Sequence, residues 1–184
     1  MPGLVVREAD IEDAPAVAGI HVRAWLAAYR GLMPDEWLDG VTVEQRTQSW
    51  SEILAGARDP GSTLVGEEAG AGVVGFCSVS LPCRDEDAGP GTAEISALYI
   101  EPSRWRAGVG RALLAEALAR LRAAEWREVT LWVLSGNSSA RAFYERFGFA
   151  ADGAEVEHVP SGVAPAAAPR AHRLRLTLEP ARCR

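Results

Sequence analysis

The stretch "SRWRAGVGRALLAEALARL", residues 103–121, sets Gly108 and Gly110 one residue apart among Arg104, Arg106 and Arg111, at the head of an amphipathic run. The first N–H groups of a helix have no intrahelical partner, and the helix dipole adds partial positive charge there. Glycine lets an anion approach that backbone closely. These residue types suit a phosphate; the plainer alternative is a helix start relieved by glycine. Two other phosphate motifs fail. The chain has no lysine, so it carries no G-x-x-x-x-G-K-[ST] loop. The dinucleotide fingerprint wants a third glycine where Leu113 stands and an acid about 20 residues on, where "LWVLSGN" offers none.

These residues need elements to hold them. Val109, Leu113, Ala117 and Leu121 form one apolar stripe, and Glu116 and Arg120 form an outward i,i+4 pair, so a helix runs on from the glycines. "TAEISALYI" before it and "EVTLWVL" after it read as strands, and "SGNSSARAFYERFGF" as a capped helix ending at Gly148. Upstream, "VVREA" is a first strand. Asp10, with Asp13 behind it, caps a helix carrying Val17, Ile20, Ala24 and Ala28 that stops near Gly31. "MPDEWLDG" holds a short helical piece, and Thr42 caps a helix with Trp50, Ile53 and Leu54 inward. "STLVGEE" and "GVVGFCSVSL" are strands joined by a glycine turn, followed by the acidic loop "RDEDAGPG". "EVEHV" and "HRLRLTL" are late strands around the Pro/Ala-rich loop 160–170. The order β-α-α-β-β-β-α-β-α-β-β predicts a mixed α/β (α+β) domain, not a βαβ alternation.

With 184 residues, 48% hydrophobic and 24% charged, the chain fits one domain over residues 1–184. No apolar run approaches the roughly 20 residues of a membrane span. The N-terminus lacks a basic, apolar leader, so a cytoplasmic protein without a membrane partner is expected. Cys77, Cys83 and Cys183 show neither a paired framework nor C-x-x-C spacing. No metal is expected. The formal net charge of −6 argues against nucleic acid as a partner. It weakly favours a cationic or neutral substrate, beyond keeping the chain in solution.

"ALYIEPSRWRAGVGRALL" resembles the acetyl-CoA-binding motif of the GNAT N-acetyltransferase family: a strand, an L-Y-V-x-P-like exit, then R/Q-x-x-G-x-G/A. The second signature, N-x-x-A-x-x-x-Y-x-x-x-G-F, is matched by Asn137, Ala140, Tyr144, Gly148 and Phe149. "HVRAWLAAYRGLMPDEWLDG" is similar to the substrate-side helices of many bacterial members. The resemblance covers nearly the whole chain and is strongest over residues 93–149. One position departs from it: Trp105 stands where the first R/Q belongs, which passes the cation's role to Arg104 or Arg106. The resemblance implies a mostly antiparallel sheet of about seven strands with about four flanking helices. It also implies a substrate-side helical region over 1–60, an acetyl-CoA-binding core over 91–149, acetyl-CoA as co-substrate, and a homodimer as a common arrangement.

It further implies direct transfer within a ternary complex. "TAEISALYI" and "EVTLWVL" would splay, with the pantetheine arm between them and Leu98, Tyr99 and Ile100 along it. An amide near Leu98 or Tyr99 would donate to the thioester oxygen, where negative charge grows during attack. Arg106, Ala107, Gly108, Val109, Gly110 and Arg111 would hold the diphosphate, and Asn137, Ala140 and Phe143 would complete the cofactor side. Trp25, Tyr29 and Trp37 would wall the acceptor pocket, at least one of them as plain core. An amine with a lysine-like pKa near ~10.4 must lose a proton before it attacks. Glu94 is the first candidate base, against a salt-bridged strand residue; His21 and His158 are alternatives, against packing or surface roles. Tyr144 matches the family's general acid, and a phenol near ~10 can protonate the thiolate of a thiol near ~8.5. Cys77, mid-strand and with no histidine close in sequence, reads as a small buried residue, not an acyl carrier. Small amines, polyamines, amino acids, aminoglycosides and protein N-termini all stay open as acceptors. A non-catalytic acyl-CoA sensor is the rival reading.

Overall fold

The computed structural model describes residues 3–56, 61–157 and 169–179. His158 and most of the Pro/Ala-rich loop lie outside the described residues. The elements follow the order β1 (Leu4–Glu8), α1 (Ala14–Tyr29), α2 (Asp35–Asp39), α3 (Val43–Leu54), β2 (Gly61–Glu68), β3 (Gly72–Ser80), β4 (Thr92–Ile100), α4 (Val109–Ala123), β5 (Glu128–Leu134), α5 (Ser138–Glu145), β6 (Ala150–Glu157) and β7 (Arg170–Thr177). One seven-stranded sheet runs β1-β2-β3-β4-β5-β7-β6, with β4 and β5 as its parallel pair and every other pairing antiparallel.

Local chemistry sets the boundaries. Asp10 and Asp13 form a capping box ahead of α1, and Thr42 and Gln45 form another at α3. The stripe of α4 is buried on one face of the sheet: Val109, Leu113, Leu114, Ala117, Leu118 and Leu121 pack with Leu64, Val74, Cys77 and Ile95. Each fully buried leucine there contributes on the order of 1.5–3 kcal/mol. Gly75 on β3 makes the approach possible, because a Cβ there would lie 2.7 Å from Ile100 Cδ1 and 3.1 Å from Val109 Cγ1. On the other face, Val17 and Ile20 of α1 and Trp50 of α3 pack with Val65 and Phe76. A third cluster joins α1 and α2 to the ends of β5 and β7 through Met33, Leu38, Leu134 and Ala171.

β6 begins at Ala150, five residues before the strand read from the sequence. Its register with β7 slips between Ala151 and Glu155, and Gly153 takes a left-handed φ of 90°. An edge strand so interrupted and exposed shows no period-two pattern to read. Among the described residues, no helix is long and apolar enough to cross a membrane.

Candidate active site

The site starts with a break in the sheet. β4 pairs with β5 only through Thr92, Ala93 and Glu94, opposite Glu128, Val129 and Thr130. Beyond that rung β4 runs on to Ile100 along β3, and β5 runs on to Leu134 along β7. Opposite β3, Ala97 faces Ser78 and Ile95 faces Val79, so Ser96 is an extra residue, a bulge whose Oγ donates to the Ser78 carbonyl at 3.2 Å. A bulge bends its strand and raises the local twist. It therefore carries β4 away from β5 and leaves main-chain groups on the facing edges of both strands without a ladder partner.

The end of β4 leads into the glycine turn. Arg106 and Gly108 both take left-handed conformations, φ 63° and 88°, and Gly108 is the N-cap of α4 with no side chain to cap it. Glu101, Pro102 and Arg104 carbonyls take the N–H groups of Arg104, Trp105 and Ala107. Among the described residues none takes those of Gly108, Val109, Gly110 or Arg111. Such a run of free donors at a helix N-terminus has the chemistry to receive an anion. Arg104 is committed to Glu68, Nε to Oε2 at 2.8 Å, while Arg106 and Arg111 are exposed and form no ion pair among the described residues. Trp105, at the departing position, donates its indole N–H to the Ile100 carbonyl at 2.9 Å and so ties the turn to the end of β4.

α5 meets this turn. A Cβ placed on Gly110 would lie 3.5 Å from Ile100 Cγ1 and 3.6 Å from Phe143 Cζ, so β4, α4 and α5 converge there. Asn137 caps α5, its Oδ1 accepting the Ala140 N–H at 3.1 Å, which leaves its amide NH2 for another partner. Tyr144 is fixed by its ring, 5.2 Å from Phe143 and 5.9 Å from Phe149. Its hydroxyl has no hydrogen-bond partner among the described residues. Burial, with smaller contributions from Cys77 and Tyr99, holds that phenol above its ordinary pKa.

On the helical side, Trp25 stands 5.5 Å from Tyr29 and 4.9 Å from Trp37, so the three rings expected around an acceptor lie together as one aromatic wall. Tyr99 belongs to that wall through its side chain: the ring stacks on His21 at 4.7 Å, and its hydroxyl accepts the Trp25 indole N–H. Burial raises both the Tyr99 and Tyr29 phenols. His21 is core: its Nδ1 accepts the Trp50 indole N–H at 3.0 Å, and burial, then Arg46, lowers its pKa to about 3. An imidazole so placed is a poor proton acceptor at neutral pH. Glu94 lies on the last β4–β5 rung, buried, with Oε1 and Oε2 held by Arg84 at 2.8 and 2.9 Å. Cys77 is buried, and burial pushes its thiol up to about 12, which fits a packing residue. Among the described residues no group of three His, Cys, Asp or Glu side chains is gathered to hold a metal. Sequence reasoning passed over Arg46 of α3, whose guanidinium carbon sits 5.1 Å from the Trp25 ring centroid. Its spacing of four from buried Trp50 was the available signal.

Two strands parted beyond a three-residue ladder, free amides at the adjoining helix start and a phenol on the next helix without a hydrogen-bond partner among the described residues make a cleft suited to an extended, anion-bearing ligand. The pattern of the acetyltransferase (GNAT) family matches residues 22–149, and the chain belongs to that family. It is similar to an uncharacterized N-acetyltransferase of Bacillus subtilis, 30% identical over 144 residues, 78% of this chain and 79% of that one. It is also similar to a Mycobacterium tuberculosis protein named a probable N-acetyltransferase, 30% identical over 172 residues, 86% and 87% of the two chains. Among solved structures, the PaiA N-acetyltransferase of Thermoplasma acidophilum in complex with coenzyme A superimposes with a TM-score of 0.66 at 18% identity, over 92% of this chain and 97% of that one. The last likeness shows the fold.

Proposed function

We propose that the protein moves an acetyl group from acetyl-CoA to an amine by direct attack in a ternary complex. The observation that carries this reading is the β4–β5 pairing that stops at Glu94, in a strand whose far end touches a helix start with four unclaimed amides, those of Gly108, Val109, Gly110 and Arg111. The diphosphate of the coenzyme sits on those amides with Arg106 and Arg111 alongside, and the pantetheine arm fills the gap between β4 and β5. A main-chain N–H of Leu98 or Tyr99 donates to the thioester oxygen as charge develops on it. The amine enters from the wall of Trp25, Tyr29 and Trp37, on the side where the Tyr99 ring points. Tyr144 gives its proton to the departing thiolate, and Asn137 steadies the arm with its free NH2.

Glu94 takes the ammonium proton through water, with Arg84 fixing its carboxylate at the apex of the gap. General base catalysis of this kind contributes about 10²–10⁴-fold. Glu94→Gln therefore slows acetyl transfer by at least about 10²-fold near neutral pH, where the amine is protonated, and less as pH approaches the amine pKa near ~10.4; an unchanged rate across pH removes Glu94 from the mechanism. The reading as a whole is tested by calorimetric titration with coenzyme A and by free-thiol release from acetyl-CoA across a panel of amines. Saturable binding and amine-dependent release support it. Absence of binding overturns it, and binding without release for any amine replaces it with the acyl-CoA sensor.

A further inference from the structure

The helical wall contains a cation without an anion. Arg46 is half-buried, stacked over Trp25, and among the described residues its guanidinium has no ion pair or hydrogen bond. Asp35 and Asp39 are held by Arg30 and Glu101 by Arg23, while Glu36 and Glu44 are exposed and none of these carboxylates pairs with Arg46. His21, which feels the charge of Arg46, presents a second donor without an acceptor. Its Nδ1 accepts from Trp50, so the ring proton sits on Nε2, and that buried atom has no partner. Groups of this kind are expensive to remove from water unpaired, and folded chains ordinarily match them with carboxylates. Arg46 lies over Trp25, whose indole N–H donates to the Tyr99 hydroxyl, so the cation stands one ring away from the tyrosine at the end of β4.

Resting on the acetyltransferase reading above, we propose that the acceptor is an aminocarboxylate, a small amine whose own carboxylate pairs with Arg46. A guanidinium is suited to this, because its planar fork binds a carboxylate through two parallel hydrogen bonds while its face stays on an aromatic ring. The local charge then opposes the overall one: a chain of net charge −6 selects an acceptor bearing an anion, because the half-buried charge stacked on the wall, Arg46, is positive and has no ion pair among the described residues. Held at Arg46, the acceptor turns its amino group toward the Tyr99 main chain and the thioester.

The probes are the proteinogenic L-amino acids, each paired with its carboxamide, and spermidine as the polycationic alternative. Each is titrated calorimetrically into protein saturated with coenzyme A, and each is assayed for thiol release from acetyl-CoA. At least one free amino acid should bind and react, its carboxamide at least about 10-fold more weakly. Arg46→Gln should erase that ratio, and Arg46→Lys should restore part of it. An unchanged coenzyme A affinity shows that both variants are folded. If carboxamides match the acids, if spermidine alone reacts, if the ratio survives in Arg46→Gln, or if no amino acid binds, the inference falls. Release from spermidine independent of Arg46 leaves the acetyltransferase standing without it. Arg46-dependent amino acid binding without any thiol release leaves the carboxylate site standing and removes the transferase.

Discussion

Replacing Tyr144 with phenylalanine separates chemistry from packing, because the structure gives the two roles different atoms. The ring contacts with Phe143 and Phe149, at 5.2 and 5.9 Å, survive the change. The hydroxyl has no partner among the described residues, so its loss strands no donor or acceptor. The effect on folding is then within about 0.5 kcal/mol, as for changes that break no buried contact, and the melting midpoint moves by about 2 °C or less for a chain of this size. Loss of a general acid, in contrast, slows the reaction about 10²–10⁴-fold, or about 3–5 kcal/mol of transition-state free energy. Single-turnover thiol release at saturating acetyl-CoA measures the fall in rate, coenzyme A titration shows affinity unchanged, and a thermal melt checks the fold. The wild-type profile carries a further sign. Burial raises the phenol pKa, so Tyr144 keeps its proton beyond the ordinary value near ~10 and imposes no alkaline decline there. A variant that turns over within twofold of wild type refutes the acid role. A variant that loses several kcal/mol of stability along with its activity makes Tyr144 a core residue.

Gly108→Ala forces a side chain into a left-handed N-cap with φ 88°, a conformation that costs an L-residue about 1–2 kcal/mol. Coenzyme A affinity by calorimetry should fall about 10-fold, and full affinity in a merely less stable variant would show that the turn does not bind the diphosphate. The pKa of His21, about 3 when folded against ~6.5 unfolded, gives an acid-sensitive fold. The unfolded chain takes the proton first, so this contribution is complete above pH ~6.5 and declines by about 1.4 kcal/mol per pH unit below it. Urea melts from pH 6.5 to 4.5 should lose about 2 kcal/mol in wild type and far less in His21→Gln, which keeps an acceptor for Trp50; equal slopes in the two proteins would refute the assignment.

What the sequence made legible was whatever depends on near neighbours along the chain. The α4 stripe, the Glu116–Arg120 pair at 2.9 Å and the caps at Asp10, Thr42 and Asn137 are set within one or two helical turns. The seven strands announced themselves by composition and turn residues, though the start of β6 did not. What stayed hidden depends on partners 10 to 80 residues away. Residue type alone does not reveal that Arg84 holds Glu94, that Glu68 occupies Arg104, or that the Tyr99 hydroxyl faces Trp25 across a separation of 74 residues. The bulge at Ser96 is equally silent, because an extra residue in a strand leaves its composition unchanged.

Arg46 shows how such a signal can still be recovered. In "VTVEQRTQSWSEIL" it looks like part of a solvated face, but it stands one turn before Trp50, and residues four apart on a helix share a face. A charged residue in register with a buried tryptophan is either a snorkelling side chain that reaches water or a cation waiting for an anion. A sequence cannot choose between those two. The stacking on Trp25, the carboxylates spent on Arg30 and Arg23, and the unpaired Nε2 of His21 favour the second. On the proposed reading, specificity in this cleft would rest on a charge that has no ion pair among the described residues, while the transfer chemistry would rest on main-chain groups left unpaired there.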